Sequence, residues 1–303
     1  MHSDASTLVR RLTGEMENFE DIAKYLIPQP GDLPGLSGID IHGGTIPLNG
    51  LVGGDHIIYV DFKQRFDLEA RIQRGVEDGR LDLVENLKRC HTMAGIAVLD
   101  VSGHQITDAF MASMLHQAFL LGAIYELDMF GQVTSRLFEN LNTRFYSSSS
   151  AHKFVSLIYG EISEDMGFRF LSAAHPFPLV FSRQHDRFMD VHQDACVSSP
   201  PLGMLPSLEV TDRHRGESLL GFKARYEMNE WVLMGEGDIL LLHTDGLTEH
   251  SRAGDDYFPG RLEQTLRDVK ELPASGIYEA IAADVLAFSE PCDDISLVVV
   301  KRI

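Results

Sequence analysis

Four acidic positions stand at the ends of strand-like runs, each beside a glycine or a tight turn. Gly53-Gly54-Asp55 precedes the run 56–62, and Asp100-Val101-Ser102-Gly103-His104 closes the run 95–101. Thr244-Asp245-Gly246 closes the run 239–243, and Asp293-Asp294 opens the run 295–300. A single carboxylate in such a place has a plain explanation: it caps a strand and begins a turn. Four of them suggest more. Antiparallel pairing brings Asp55, where one strand leaves, to the same sheet end as Asp100, where another returns. It does the same for Asp245 and Asp293. Crowded carboxylates repel one another unless cations sit between them. Carboxylate, carbonyl and water ligands suit Mg²⁺ or Mn²⁺ rather than zinc. Two such ions about 3.5–4 Å apart, sharing a carboxylate, generate a hydroxide and polarise a phosphoryl group.

The elements that must hold these acids are short. Strand-like runs cover 39–46, 56–62, 95–101, 154–162, 168–173, 179–182, 231–234, 239–243 and 295–300. Helical patterns cover 107–127, 130–144, 260–269 and 275–288. Strands in clusters, rather than in βαβα alternation, indicate antiparallel sheets packed together with helices on their outer faces. The expected fold is one α+β domain over 27–303. A helix precedes it within residues 1–26. Its apolar residues Leu8, Leu12, Met16, Phe19, Ile22 or Ala23, and Leu26 recur at three and four, and Pro28 and Pro30 end it. Two readings stand for this helix: it lies on its own domain, or it forms a coiled-coil seam joining two chains. The Ser147–Ser150 run reads as a loop after a helix.

Composition narrows the partners. The 303 residues carry 26 Lys+Arg and 45 Asp+Glu, a formal net charge of −19. That excess argues against nucleic acid, whose binding needs cations on phosphates, and against an anionic membrane surface. The apolar region 111–125 contains His116 and Gln117 and is too short for a membrane span, so none is expected. The N-terminus lacks the apolar core of a signal peptide. The three cysteines, Cys90, Cys196 and Cys292, are far apart and form no CxxC pair. They read as reduced thiols of a cytoplasmic protein.

The ordered set GGDHIIYVDF, AVLDVSGHQITDAFMASML, FLSAAHPFPLVF, GDILLLHTDGLTEH and DDISLVVVKR resembles the motif series of PPM-type (protein phosphatase 2C-like) phosphatases. More narrowly it resembles their bacterial SpoIIE-like branch. Upstream, IAKYLIPQPGDLPGLSGIDIHG is similar to the opening of that domain, so the resemblance runs over roughly residues 15–303. It implies two packed antiparallel β-sheets flanked by helices, an αββα sandwich, with two divalent ions, Mn²⁺ or Mg²⁺. It implies hydrolysis of phosphoserine or phosphothreonine by a metal-bound hydroxide. Carried over residue by residue, Asp100 bridges the two metals and the Val101 carbonyl binds one. Asp245 and Asp293 hold the other, and Asp55 binds or orients a metal-bound water. Asp294 is the less favoured ligand of its pair, because the family's ligand stands three residues before the hydroxyl residue, here Ser296.

Several positions depart from the family. A second acid after GGD is replaced within His56-Ile57-Ile58, the glycine after His104 is Gln105, and Ala-Gly-His becomes Ala173-Ala174-His175. No expected metal-binding carboxylate is lost, so a competent enzyme is expected. His104 and His175 read as structural histidines rather than proton donors. The charge-rich segment 63–94 reads as two helical pieces hinged at Asp78-Gly79. Such a length is unusual for a connection in a compact domain. It roots at the sheet end away from the acids and reads as a docking or regulatory element, or as a solvated hairpin without a partner.

The first functional expectation is a metal-dependent protein serine/threonine phosphatase in signal transduction. The resemblance implies a phosphoprotein substrate of the anti-sigma-factor-antagonist kind. The alternatives are a catalytically inactive phosphoprotein-binding scaffold and a small-molecule phosphoesterase. With no sensor domain expected ahead of the catalytic one, the input signal must reach it through another protein, through segment 63–94 or through self-association.

Overall fold

The central strand runs are apolar at nearly every position, so each has two faces to bury, one to either side of its sheet. The structure, a computed structural model, describes residues 2–25, 27–48, 53–103, 106–148, 153–190, 196–208, 218, 220–232 and 235–303. The strands are β1 (Ile39–Ile46), β2 (His56–Asp61), β3 (Met93–Val101), β4 (Val155–Ser163), β5 (Gly167–Ala173), β6 (Leu179–Ser182) and β7 (Arg187–Phe188). They continue with β8 (Ser198–Ser199), β9 (Asn229–Val232), β10 (Ile239–His243), β11 (Ser251–Arg252), β12 (Asp255–Asp256) and β13 (Ile295–Arg302). The helices are α1 (His2–Ala23), α2 (Phe62–Arg65), α3 (Leu68–Glu77), α4 (Leu81–Arg89), α5 (Ile106–Phe130), α6 (Ser135–Ser148), α7 (Asp245–Thr248), α8 (Gly260–Val269) and α9 (Ala274–Phe288).

One sheet has the order β1-β13-β10-β6-β7 and the other β2-β3-β4-β5-β8, with β9 also on β5. Pairing is antiparallel except for the two-residue parallel contact of β5 with β8. The two-sheet α+β sandwich read from the sequence is therefore the fold. Alternation divides β3 between two cores. Ala94, Ile96 and Val98 face the other sheet, against Leu240, Leu242 and Val298. Ala97, Leu99 and Val101 face the helices, against Leu115, Phe119 and Leu127 of α5. On the opposite side α8 and α9 bury Leu262, Leu266, Ile277 and Ile281 on Leu241, Leu297 and Val299. All three cysteines are free thiols.

Segment 63–94 is not a solvated hairpin. Phe62, Leu68, Leu83, Leu87 and Cys90 belong to the core under α5 and α6. Asn86 donates to the Phe130 carbonyl at 2.9 Å, and Arg71 pairs with Asp128 at 2.7 Å. The charges that made the segment look solvated lie on the outside of α3 and α4, and Leu68, Leu83, Val84 and Leu87 face inward, while Val76 and Leu81 stay exposed. The expected hinge is present: α3 ends at Asp78 and Gly79 adopts φ +67°.

α5 also departs from expectation. It is 25 residues long, and by length and composition it would be able to cross a membrane. One row, Ala112, Leu115, Phe119, Ala123 and Leu127, is buried on the sheet. Phe110, Met114, Leu121, Tyr125 and Met129 remain exposed on the other side. α1 is less covered still, with Leu8, Val9, Leu12, Met16 and Ile22 all exposed. That excludes the reading in which this helix buries its apolar stripe on its own domain; Leu26 lies outside the described residues.

Candidate active site

Strand ends from both sheets supply the acids. Val101 N–H donates to the Gly54 carbonyl at 3.2 Å, and His56 stands opposite Leu99, which sets Asp55 beside Asp100. Thr244 N–H donates to the Ser296 carbonyl at 3.1 Å, which brings the turn at Asp245 next to the start of β13. The Asp100 carboxyl is pushed up to about 7, first by burial and then by the charges of Asp245, Asp293, Asp294 and Asp108. That list of neighbours is entirely acidic. Asp55, Asp100, Asp245 and Asp293, the four acids singled out in the sequence, are thus within electrostatic reach of one another or of a shared neighbour.

They are not equivalent. Asp55 is buried, and its Oδ2 accepts the Thr244 hydroxyl at 2.7 Å. The Thr244 Oγ1 in turn accepts Ser296 N–H at 2.9 Å. Burial, Asp100 and Asp294 push the Asp55 carboxyl well above the ordinary range, and the Thr244 hydrogen bond partly opposes them. Asp294 is also buried, and its two oxygens accept the Leu48 N–H at 2.7 Å and the Gly54 N–H at 2.8 Å. Both acids therefore join the two sheets. Asp100 and Asp245 are half-buried and Asp293 is exposed, so these three present carboxylate to the cleft. Of the pair, Asp294 is thus the one taken up by backbone donors and Asp293 the exposed one.

The glycines before Asp55 are needed for close approach. A Cβ on Gly53 would stand 2.0 Å from Asp294 Oδ2, and one on Gly54 would stand 2.8 Å from the Val101 carbonyl and 2.6 Å from that of Gly103. The Val101 and Gly103 carbonyls thus face the chain that leads into Asp55.

Among the described residues, no three His, Cys, Asp or Glu side chains surround one point closely enough to form a ready-made metal cage. An all-oxygen donor set with Asp100 held near 7 by surrounding acids fits Mg²⁺ or Mn²⁺.

His175 is structural. It is buried, its Nδ1 lies 2.8 Å from Ser156 Oγ, and burial with His243 nearby holds it down to about 3. His104 and Gln105 lie outside the described residues. Three features escaped the sequence reading. They are the Thr244 hydroxyl on Asp55, the backbone-binding role of Asp294, and the ion pair of Lys153 with Asp108 at 2.5 Å. Thr244 was visible as a neighbour of Asp245, but its partner is 189 positions away.

A two-sheet sandwich with helices outside and acids pooled at one end of the strands is the architecture of PPM-type serine/threonine phosphatases. Solved structures share it. The SiaA-PP2C domain of Pseudomonas aeruginosa superposes with a TM-score of 0.63 at 16% identity, over 98% of each chain. The RsbU and RsbW domains of Rv1364c from Mycobacterium tuberculosis give 0.60 at 19% identity, over 89% of this chain and 61% of that one. The phosphatase domain of SpoIIE from Bacillus subtilis, with a fragment of its regulatory domain, gives 0.58 at 16%, over 87% and 63%. The chain therefore spans less than two thirds of the latter two. No curated protein sequence matches it significantly. The family described as Stage II sporulation protein E (SpoIIE) matches residues 91–303. The chain belongs to that family.

Proposed function

We propose that this chain is a metal-dependent protein phosphatase that hydrolyses phosphoserine or phosphothreonine. The observation that carries the reading is the convergence at one end of the sandwich of the strand ends that bear Asp100, Asp245 and Asp293, from both sheets. Asp100, the Val101 carbonyl, Asp245 and Asp293 would hold two divalent ions, Mn²⁺ or Mg²⁺, with Asp55 binding or orienting a water. Bound there, such ions supply a water acidified to near neutrality and a Lewis acid for the phosphoryl oxygens. The chain's own part is placement. The Thr244 hydroxyl fixes the Asp55 carboxylate, and Asp294 holds Gly54, against which the Val101 carbonyl lies. The three less buried carboxylates leave the cleft open to a phosphorylated side chain on a folded surface.

The substrate in this reading is a small phosphoserine-bearing regulator, of the anti-sigma-factor-antagonist kind that the SpoIIE-like resemblance implies. A net charge of −19 favours a partner with a basic face and an association rate that falls with salt. Val76 and Leu81, exposed on α3 and α4, offer a docking face away from the acids. The chain pairs with a second copy through α1, whose Leu8, Leu12 and Met16 find no cover on their own domain.

Hydrolysis of a generic aryl phosphate should need Mn²⁺ or Mg²⁺ and vanish with chelator. Turnover that survives metal stripping overturns the metal reading. A chain that binds no metal and turns over nothing is the inactive scaffold, and one that prefers small esters to phosphoproteins is a phosphoesterase. Light scattering should give a dimer for the full chain and a monomer after removal of residues 1–26; a monomeric full chain removes the seam.

A further inference from the structure

The turn that follows Asp100 is held from outside by the residues that open β4. Ser102 is gripped at three atoms. Its N–H donates to the Phe154 carbonyl at 3.0 Å, its Oγ accepts Phe154 N–H at 3.2 Å, and its carbonyl accepts from Lys153 Nζ at 2.9 Å. The same Nζ donates to Asp108 Oδ1 at 2.5 Å. The Asp108 side chain is fully buried in the first turn of α5, while Lys153 keeps about a quarter of its surface. Gly103, at φ +120°, lies directly on this pair. A Cβ there would stand 2.6 Å from Asp108 Oδ2 and 2.8 Å from Lys153 Nζ. The carbonyls on either side of Ser102, those of Val101 and Gly103, turn the other way, toward Gly54.

We propose that Lys153 is a positioning residue for the metal site, clamping the Ser102 carbonyl to Asp108 and so fixing the turn after Asp100 that carries the Val101 carbonyl. The inference rests on the metal-dependent reading above. An ammonium has three donors in a flexible arrangement. Two of them here bridge a helix start and a turn. A carbonyl ligand cannot be rotated into place by its own side chain, so its direction must be set by its neighbours.

The test is a calorimetric Mn²⁺ titration of the full chain, with metal-free thermal unfolding alongside. Lys153→Met should weaken Mn²⁺ binding at least tenfold, and Lys153→Arg should recover it to within threefold. Asp108→Asn with Lys153→Met leaves no unpaired buried charge, so it should unfold near the wild-type temperature. It should still bind at least tenfold more weakly, because the Ser102 carbonyl stays unheld. If the double variant binds Mn²⁺ within threefold of wild type, Lys153 only neutralises Asp108 and the proposal is wrong. The same holds if Lys153→Met alone binds normally. A wild-type chain that binds no Mn²⁺ overturns the metal reading itself, and this proposal with it.

Discussion

The two ends of the β3–β4 ladder bury acid in opposite ways. At one end Asp100 stands opposite Ser156, and five residues along Gly95 stands opposite Glu161. That separation is about 17 Å at strand rise. Glu161 is fully buried, yet it accepts the Arg169 guanidinium at 2.6 Å and the Tyr159 hydroxyl at 2.8 Å. On α6 Glu139 takes Lys223 Nζ at 2.9 Å and Tyr226 N–H at 2.7 Å. These acids have their cation built in. Asp100 has other acids instead. A buried charge without a partner is expensive, and a fold keeps one when something outside the chain completes it. The difference is what the proposed metal site at the Asp100 end accounts for.

The largest expected effect separates the two ends by chemistry. Asp100→Asn should lower aryl-phosphate hydrolysis at least a hundredfold, about 2.7 kcal/mol of barrier. Its folded state should gain little from Mn²⁺, whereas the wild-type melting temperature should rise with it. Glu161→Gln should do the reverse. It leaves Arg169 partly buried without a counter-ion and costs about 2 kcal/mol of stability, reduced by the exposure of Arg169. Its activity per folded molecule should stay within threefold of wild type. Equal losses from both substitutions would erase the distinction.

A smaller effect separates the ends by pH. The Asp100 carboxyl, near 7 in the metal-free fold, sits above its ordinary unfolded value of about 3.9. Between those values the native state holds a proton that the unfolded chain has released. The stability of the metal-free protein therefore falls, on this account, as pH rises from about 4 to 7. Asp284, held below the usual carboxylate range by Arg261, works the other way and loses its contribution as pH falls. Denaturant unfolding of metal-free wild type and Asp100→Asn at pH 5 and pH 8 isolates the first effect. The gap in favour of the variant should widen at pH 8, and a constant gap would refute the assignment.

The smallest effect concerns docking. Val76→Asp combined with Leu81→Asp should leave aryl-phosphate turnover unchanged and slow a phosphoprotein substrate severalfold. Excision of the whole segment would not serve, since Leu83 and Leu87 belong to the core.

Strand positions were legible because the alternation is strong. β1, β6 and β10 have the bounds that the apolar runs indicate, and α8 does as well. The four acids were legible because each stands where a strand stops. Helix ends were less so. α5 runs through to Phe130, past the expected end at 127, and α6 begins at Ser135 rather than at 130. α3 and α4 misled because charged residues are as frequent as apolar ones along them, and only the inward row shows how they pack. Contacts such as Asp55–Thr244 and Asp108–Lys153 left no trace in local pattern, since they join residues 189 and 45 positions apart.

The bonds made by Asp55 and Asp294 have a mechanical consequence. Over most of their length the two sheets touch through methyl and ring surfaces, which attract without direction and tolerate small slides. At the acid end they are riveted instead, since Thr244 to Asp55 and Gly54 to Asp294 are short directional links between opposite leaves. The opposite end is tied as well, where Gly35 N–H donates to Asp61 Oδ2 at 3.1 Å and Ser37 N–H to Glu164 Oε1 at 2.9 Å, so any slip between the leaves must break directional bonds at both ends.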